Sequence, residues 1–352
     1  MPEETTMSNW GRTLGRMLLG IIFGALFALF VGNTFDRCLA EQRERHTRVS
    51  LRGTKWMIND EITYPGAPAE GLLMNVRMVN ATFEDRNRAD FDPEANTQAF
   101  LNVLPEYVDA GVRAFTFNLQ GGFPGYEGAL NSAFETDGSL RPEYLARMEK
   151  VLDACDRLGA VAILGCFYQR QDQVLANEEA VQFAVKQTVD WIRRKGYTNV
   201  VLEIANEFPH RGFDHPILRT PSGQVELIRL ARREAPGLLV STSGLGDGRL
   251  PVEVAEASDF LLIHFNSTPL RDIPERIRIL KRFGKPIVCN EDDKWGADAA
   301  QACRLCVAEG ASYGLMLKKL NQYVPFEFKG VRDDPVFYST LRMLTRAKSS
   351  AD

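Results

Sequence analysis

Asn199-Val200-Val201-Leu202-Glu203-Ile204-Ala205-Asn206-Glu207 reads as a strand that ends abruptly in a carboxamide and a carboxylate. A short apolar run of this kind, bounded by polar residues, suits a strand buried in a parallel sheet. Ile287-Val288-Cys289-Asn290-Glu291 ends the same way. Outward from these two segments, strands and helices alternate from residue 71 onward. Strands are expected at 72–80, 114–120, 160–168, 199–207, 238–243, 260–266, 286–291 and 314–320, with helical periodicity between and after them. Gly111, Gly159, Gly196, Gly284 and Gly310 punctuate the helix ends. Eight strand–helix units predict an α/β chain folded as a (β/α)8 TIM barrel. A doubly wound sheet is the alternative, but its first strand should run into a glycine-rich phosphate turn. Ala81-Thr82-Phe83-Glu84-Asp85 stands there instead. Two short runs, 55–58 and 61–64, flank Asn59-Asp60 and predict an N-terminal hairpin capping one barrel end.

Composition narrows the function. The chain has 352 residues, 45% hydrophobic and 25% charged, which fits a globular domain with a sizeable core. The net charge of −4 and the absence of a basic stripe disfavour nucleic-acid binding. Four histidines without ligand spacing predict no metal, and no motif calls for a cofactor. Cys303 and Cys306 resemble a CxxC but fall within a helical pattern, so they read as small buried hydrophobes. Residues 17–31 are apolar and follow Arg12 and Arg16, the build of a signal-peptide core. The run is short for a spanning helix, which needs about 20 residues. Residues 1–45 are therefore expected to be a signal peptide or membrane anchor plus linker, and 46–352 the catalytic domain. The expected location is extracytoplasmic, with the protein secreted or attached to a membrane through residues 17–31. An apolar helix packed on the domain is the alternative.

In such a barrel the site lies at the carboxyl ends of the strands. The polar clusters fall there: Asn118 to Gln120, Tyr168, Asn206-Glu207, His264 to Asn266, Asn290-Glu291 and Lys318-Lys319. Strands four and seven face one another across the mouth. Glu207 and Glu291 at their ends suit the chemistry of a glycosidic bond, with one carboxyl as acid/base and the other as nucleophile. Asn75 and Arg77 alternate with the apolar Leu72, Met74, Val76 and Met78, and Glu203 shares a face with Glu207. A lone buried charge is costly. Arg77 and Glu203 are thus expected to pair and support the site from below. Tyr168 and Trp295 are candidate platforms for a sugar face.

The pattern resembles the retaining glycoside hydrolases of clan A, most nearly the cellulase-like family five. The resemblance implies Glu207 as acid/base, Glu291 as nucleophile, Asn206 as the residue holding a sugar hydroxyl, and His264 at the end of strand six. It implies a β-linked oligo- or polysaccharide as substrate. Asn118, Gln120, Tyr168, Asn266, Trp295 and Lys319 complete the expected substrate-binding set. The chain departs from the family pattern at Asn266, at Lys318-Lys319 where relatives often carry an aromatic, and in placing Arg77 on strand one. Those departures suggest an unusual or charged sugar. Lys319 has two readings, facing a uronate or sulfate or pairing with Asp292 or Asp293, and the pairing is the favoured one. A catalytically inactive glycan-binding barrel is the competing reading. A lyase or esterase barrel is a third, weakened by the absence of a Gly-x-Ser-x-Gly elbow.

Overall fold

The computed structural model describes residues 44–121 and 128–347. Three antiparallel strands come first: β1 (Val49–Arg52), β2 (Lys55–Ile58) and β3 (Glu61–Ile62). Asn59 (φ 53°) and Asp60 (φ 65°) both take left-handed backbone between β2 and β3. Asn and Asp tolerate that region better than other residues with a Cβ, which is why this dipeptide closes a two-residue hairpin. Strand β1 was not among the expected elements.

The barrel strands follow: β4 (Asn75–Arg77), β5 (Ala114–Asn118), β6 (Val161–Phe167), β7 (Val200–Ala205), β8 (Val240–Ser241), β9 (Leu261–His264), β10 (Ile287–Glu291) and β11 (Gly314–Leu315). Strands β4 to β8 pair in parallel in chain order, β11 pairs with β4, and β9 pairs with β10. Single parallel bridges between Ser243 and Leu262, and between Val288 and Ser312, close the ring. Helices such as Pro93–Asp109 and Glu178–Arg194 run between the strands. Asp92 caps the first of these by accepting from the Glu94 and Ala95 amides, and Asn177 caps the second through Ala180.

Strand alternation divides the core in two. Ala162, Leu164 and Cys166 of β6 face the helices, while Val161 and Ile163 face the barrel interior. Trp56 of β2 joins that interior cluster at the amino-terminal ends of the strands and meets Phe260 edge to face, ring centroids 5.3 Å apart. One barrel end is thereby plugged with apolar side chains, which leaves the other for chemistry.

The regular strands are shorter than their sequence suggests, β4, β8 and β11 most of all. Strand β4 is regular only at Asn75–Arg77 and passes into a 3-10 turn at Val79–Thr82. After β11 the chain coils into a helical turn, Lys318–Asn321, instead of continuing as strand to residue 320. The Met316 amide still reaches the Asp292 carbonyl, but the Lys318 amide turns back to the Met316 carbonyl. Cys303 and Cys306 are buried free thiols on one helix. Among the described residues no helix is long and apolar enough to cross a membrane. The expected export segment, 17–31, lies outside the described residues.

Candidate active site

Strand β7 delivers Glu207 by a backbone device. Glu207 has φ 49°, in the left-handed region that costs a residue with a Cβ about 1 kcal/mol or more. The turn is pinned on both sides. The Glu207 amide donates to Ser243 Oγ at 2.9 Å, and its carbonyl accepts from the His210 amide at 2.7 Å.

Strand β10 delivers Glu291 by a bulge. Cys289 pairs with Ile263, yet Glu291, not Asn290, pairs with His264. The extra residue breaks the alternation, so consecutive side chains both turn inward. Asn290 Nδ2 donates to Glu203 Oε2 at 3.2 Å, and Glu291 reaches the mouth.

The two carboxylates meet there. Glu207, His264 and Glu291 each bring one ligand atom within 4.8 Å of the others. His264 Nδ1 lies 3.3 Å from Glu207 Oε1 and 3.7 Å from Glu291 Oε2. Arg77 Nε lies 2.8 Å from Glu291 Oε2, and Asn266 Nδ2 donates to Glu291 Oε1. Glu291 and Arg77 are buried, while Glu207 keeps a 15% exposed side chain. Burial alone would raise the Glu291 carboxyl, but Arg77, His264 and Asn266 outweigh it and hold the group below the usual carboxylate range. For His264, burial is outweighed by Glu291 and Glu207, which raise the imidazole above its ordinary value.

The expected Arg77–Glu203 pair does not form. Arg77 gives its guanidinium to Glu291 and to Asn206 Oδ1, the latter at 2.6 Å. Glu203 is fully buried and holds Asn290 instead; burial pushes its carboxyl up against the pull of Arg77 and His264. Parity along the strands correctly turned Arg77 inward. The bulge that puts Glu291 within its reach carries no such signal.

Asn206 is buried between Arg77 and Gln169, donating to Gln169 Oε1 at 3.1 Å. Tyr168 lies in the same wall, its ring 6.0 Å from the Arg77 guanidinium carbon. Asn266 touches Glu291 directly. Gln120 spends both amide hydrogens, on Ser132 Oγ and the Gln171 carbonyl, so it braces loops rather than offering a donor to substrate. Asn118 is buried against Gly165, where an added Cβ would lie 2.5 Å from its Oδ1. Among the described residues, neither Asn118 nor Gln120 hydrogen-bonds either carboxylate. Trp295 is 72% exposed at the rim. Lys319 pairs with neither aspartate: its Nζ sits 5.7 Å from the Trp295 ring, Asp292 is taken by Lys294 at 2.9 Å, and Asp293 faces Lys318. Gln169 and Ser243 were not among the expected site residues. Gln169 follows Tyr168 at the end of the third expected strand and Ser243 ends the fifth, and their contacts with Asn206 and Glu207 depend on loop geometry.

The Glu207–His264–Glu291 spacing is one that metal sites use, but the donors do not suit a metal. Arg77 already sits on Glu291 Oε2 and would repel a cation. His264, between two carboxylates, is driven toward the protonated form, which has no lone pair to donate.

No protein-family model matches the chain, and no curated protein matches it. Solved structures do. An endo-1,4-β-mannanase from Eisenia fetida superposes with a TM-score of 0.57 at 11% identity, over 85% of this chain and 95% of that one. A family-five broad-specificity endoglucanase from Clostridium longisporum gives 0.56 at 10% identity, over 78% and 95%. The chain has the barrel fold of these enzymes. A β-mannanase from the blue mussel Mytilus edulis agrees, at 0.53 and 14% over 87% and 98%. A structure from Bacteroides vulgatus, assigned only provisionally as a glycoside hydrolase, gives 0.58 at 14% identity; the chain spans 57% of its length.

Proposed function

We propose that the protein is a retaining glycoside hydrolase acting on a β-linked glycan. The observation that carries this reading is the carboxylate separation: oxygens of Glu207 and Glu291 lie within 4.8 Å across the mouth. Retaining enzymes hold their carboxyl groups about 5–5.5 Å apart, whereas inverting enzymes need about 6.5–9.5 Å to admit a water.

The surroundings suggest which carboxylate does what. Glu291 is buried, ionised and fixed from two sides, as a nucleophile must be to attack the anomeric carbon. Glu207 is partly exposed and, among the described residues, braced through its backbone and His264, which suits a group that exchanges protons. In the first step Glu207 protonates the leaving oxygen while Glu291 forms the glycosyl ester. In the second, Glu207 takes a proton from water, which attacks the same carbon and releases Glu291. Arg77 keeps the nucleophile ionised and ties it to Asn206. The apolar run 17–31 behind Arg12 and Arg16 supports an extracytoplasmic location, secreted or membrane-attached. The loops at 80–93 and 208–221 flank the mouth and would decide between endo and exo cleavage.

The test uses a panel of aryl β-glycosides and β-linked polysaccharides. Glu207→Gln and Glu291→Gln should each lower the rate by several orders of magnitude. A 2-deoxy-2-fluoro glycoside should label Glu291, detected by peptide mass spectrometry. Label on any other residue, or undiminished turnover by Glu291→Gln, would sink the assignment.

A further inference from the structure

Strand β11 leads into Met316-Leu317-Lys318-Lys319, and the helical turn there sets two ammonium groups at the rim beside strand β10. Both lysines are exposed. Lys318 Nζ lies 4.0 Å from Asp293 Oδ2, two residues past the nucleophile. Its charge is among those that favour the ionised form of Glu291. Lys319 Nζ stands 5.7 Å from the ring centroid of the exposed Trp295. The two aspartates that follow Glu291 offset this pair only in part. Asp292 is buried and committed to Lys294 and to the Tyr313 hydroxyl, 3.1 Å away, and Asp293 faces Lys318 but not Lys319.

Such a rim is poorly matched to a neutral sugar. Cleaving a glycosidic bond builds positive charge at the anomeric carbon, next to Glu291. Lys318, whose field reaches Glu291, adds to the opposition that Arg77 already sets against that charge. An anionic group on the sugar removes the conflict: it neutralises the ammonium and adds a negative charge beside the reacting centre. Trp295 adds a flat apolar face of the kind that sugar rings stack on, with the second ammonium above it.

We propose that the glycan is anionic, carrying a carboxylate or sulfate group that Lys318 binds next to the scissile bond, with Lys319 and Trp295 forming the flanking platform. This rests on the glycoside hydrolase reading.

The test separates the two claims. Full-length Glu207→Gln protein is titrated by calorimetry with three tetrasaccharides: β-1,4-linked mannuronate, a β-linked galactan sulfate, and β-1,4-linked glucose. One anionic ligand should bind at least tenfold more tightly than the glucose tetramer, and raising the salt should shrink the gap. The arm that binds identifies carboxylate or sulfate as the group recognised. Adding Lys318→Met should collapse the anionic-to-neutral ratio, and Lys318→Arg should retain most of it. Equal or tighter binding of the neutral tetramer, a ratio unchanged by Lys318→Met, or no binding by any of the three overturns the proposal. Turnover by the unmodified protein then reports on the other claim. Hydrolysis of neutral glycan alone leaves the hydrolase reading standing and sinks the anionic one. Anionic binding without turnover of any ligand does the reverse.

Discussion

Replacing Arg77 with Met tests how the nucleophile is kept charged. Arg77 is fully buried, with Nε 2.8 Å from Glu291 Oε2 and a second bond to Asn206. At charge centres about 4 Å apart and an effective dielectric near 20, the attraction is about 4 kcal/mol. Methionine fills much of the volume but leaves burial, which raises the Glu291 carboxyl, opposed by His264, Asn266 and Lys318 alone. The sign follows from the depressed folded value. The pair stabilises the fold above the unfolded carboxyl's pKa of about 4.3 and loses that contribution as pH falls through the folded value. In Arg77→Met the carboxyl should move up, because the cation that lowers it most is gone. The acid limb of kcat/KM against pH, which reports ionisations of the free enzyme, should move up equally. Urea unfolding at pH 7 should show a loss of about 3–5 kcal/mol, the usual consequence of stranding one member of a buried pair. Arg77→Lys should restore part of the pH profile, because it returns the charge but not the planar fork that reaches both partners. A folded Arg77→Met protein whose acid limb stays within a few tenths of a unit of the parent would refute the account.

Other perturbations separate site from scaffold. Asn266→Ala removes one donor from Glu291, and a hydrogen bond to a charged group contributes about 1.5–3 kcal/mol; kcat/KM should fall about tenfold to a hundredfold, with the acid limb again moving up. Glu203→Gln keeps an acceptor for Asn290 Nδ2 and removes a carboxyl that burial already pushes toward neutrality, so urea unfolding should change by less than about 1 kcal/mol. Glu203→Leu orphans that amide in the bulge and should cost about 1–3 kcal/mol while also lowering kcat. Trp56→Ala opens the apolar plug at the far end of the barrel and should cost about 3–5 kcal/mol, with kcat unchanged at temperatures where the variant stays folded.

Much of the fold is legible in the sequence. Strand β6 is apolar throughout, and Gly111, Gly159, Gly196, Gly284 and Gly310 all have the positive φ expected at helix ends. The carboxylates could be assigned to facing strands because barrel geometry fixes the order of the strand ends. What failed has a common cause. Leu315-Met316-Leu317 is as compatible with a strand as with a turn, so the expected strand runs past the observed end of β11. The partners of Arg77, Lys319 and Asn266 depend on a bulge and on loop paths, which are set by tertiary contacts such as Asp292 with Lys294, not by periodicity. Parity tells which way a side chain faces; it does not tell which neighbour it meets.

The backbone at Glu207 bears on how its carboxylate is aimed. A residue at φ 49° would be more comfortable as Gly, or as Asn, than as Glu. Released from any catalytic duty, the position would gain about 1 kcal/mol by drifting that way. Here the amide and the carbonyl of Glu207 are both anchored, so the turn is held by Ser243 and His210 while the carboxylate is set by it at the mouth. The strain is met by the loops around the residue, and the direction of its side chain is fixed before any sugar arrives.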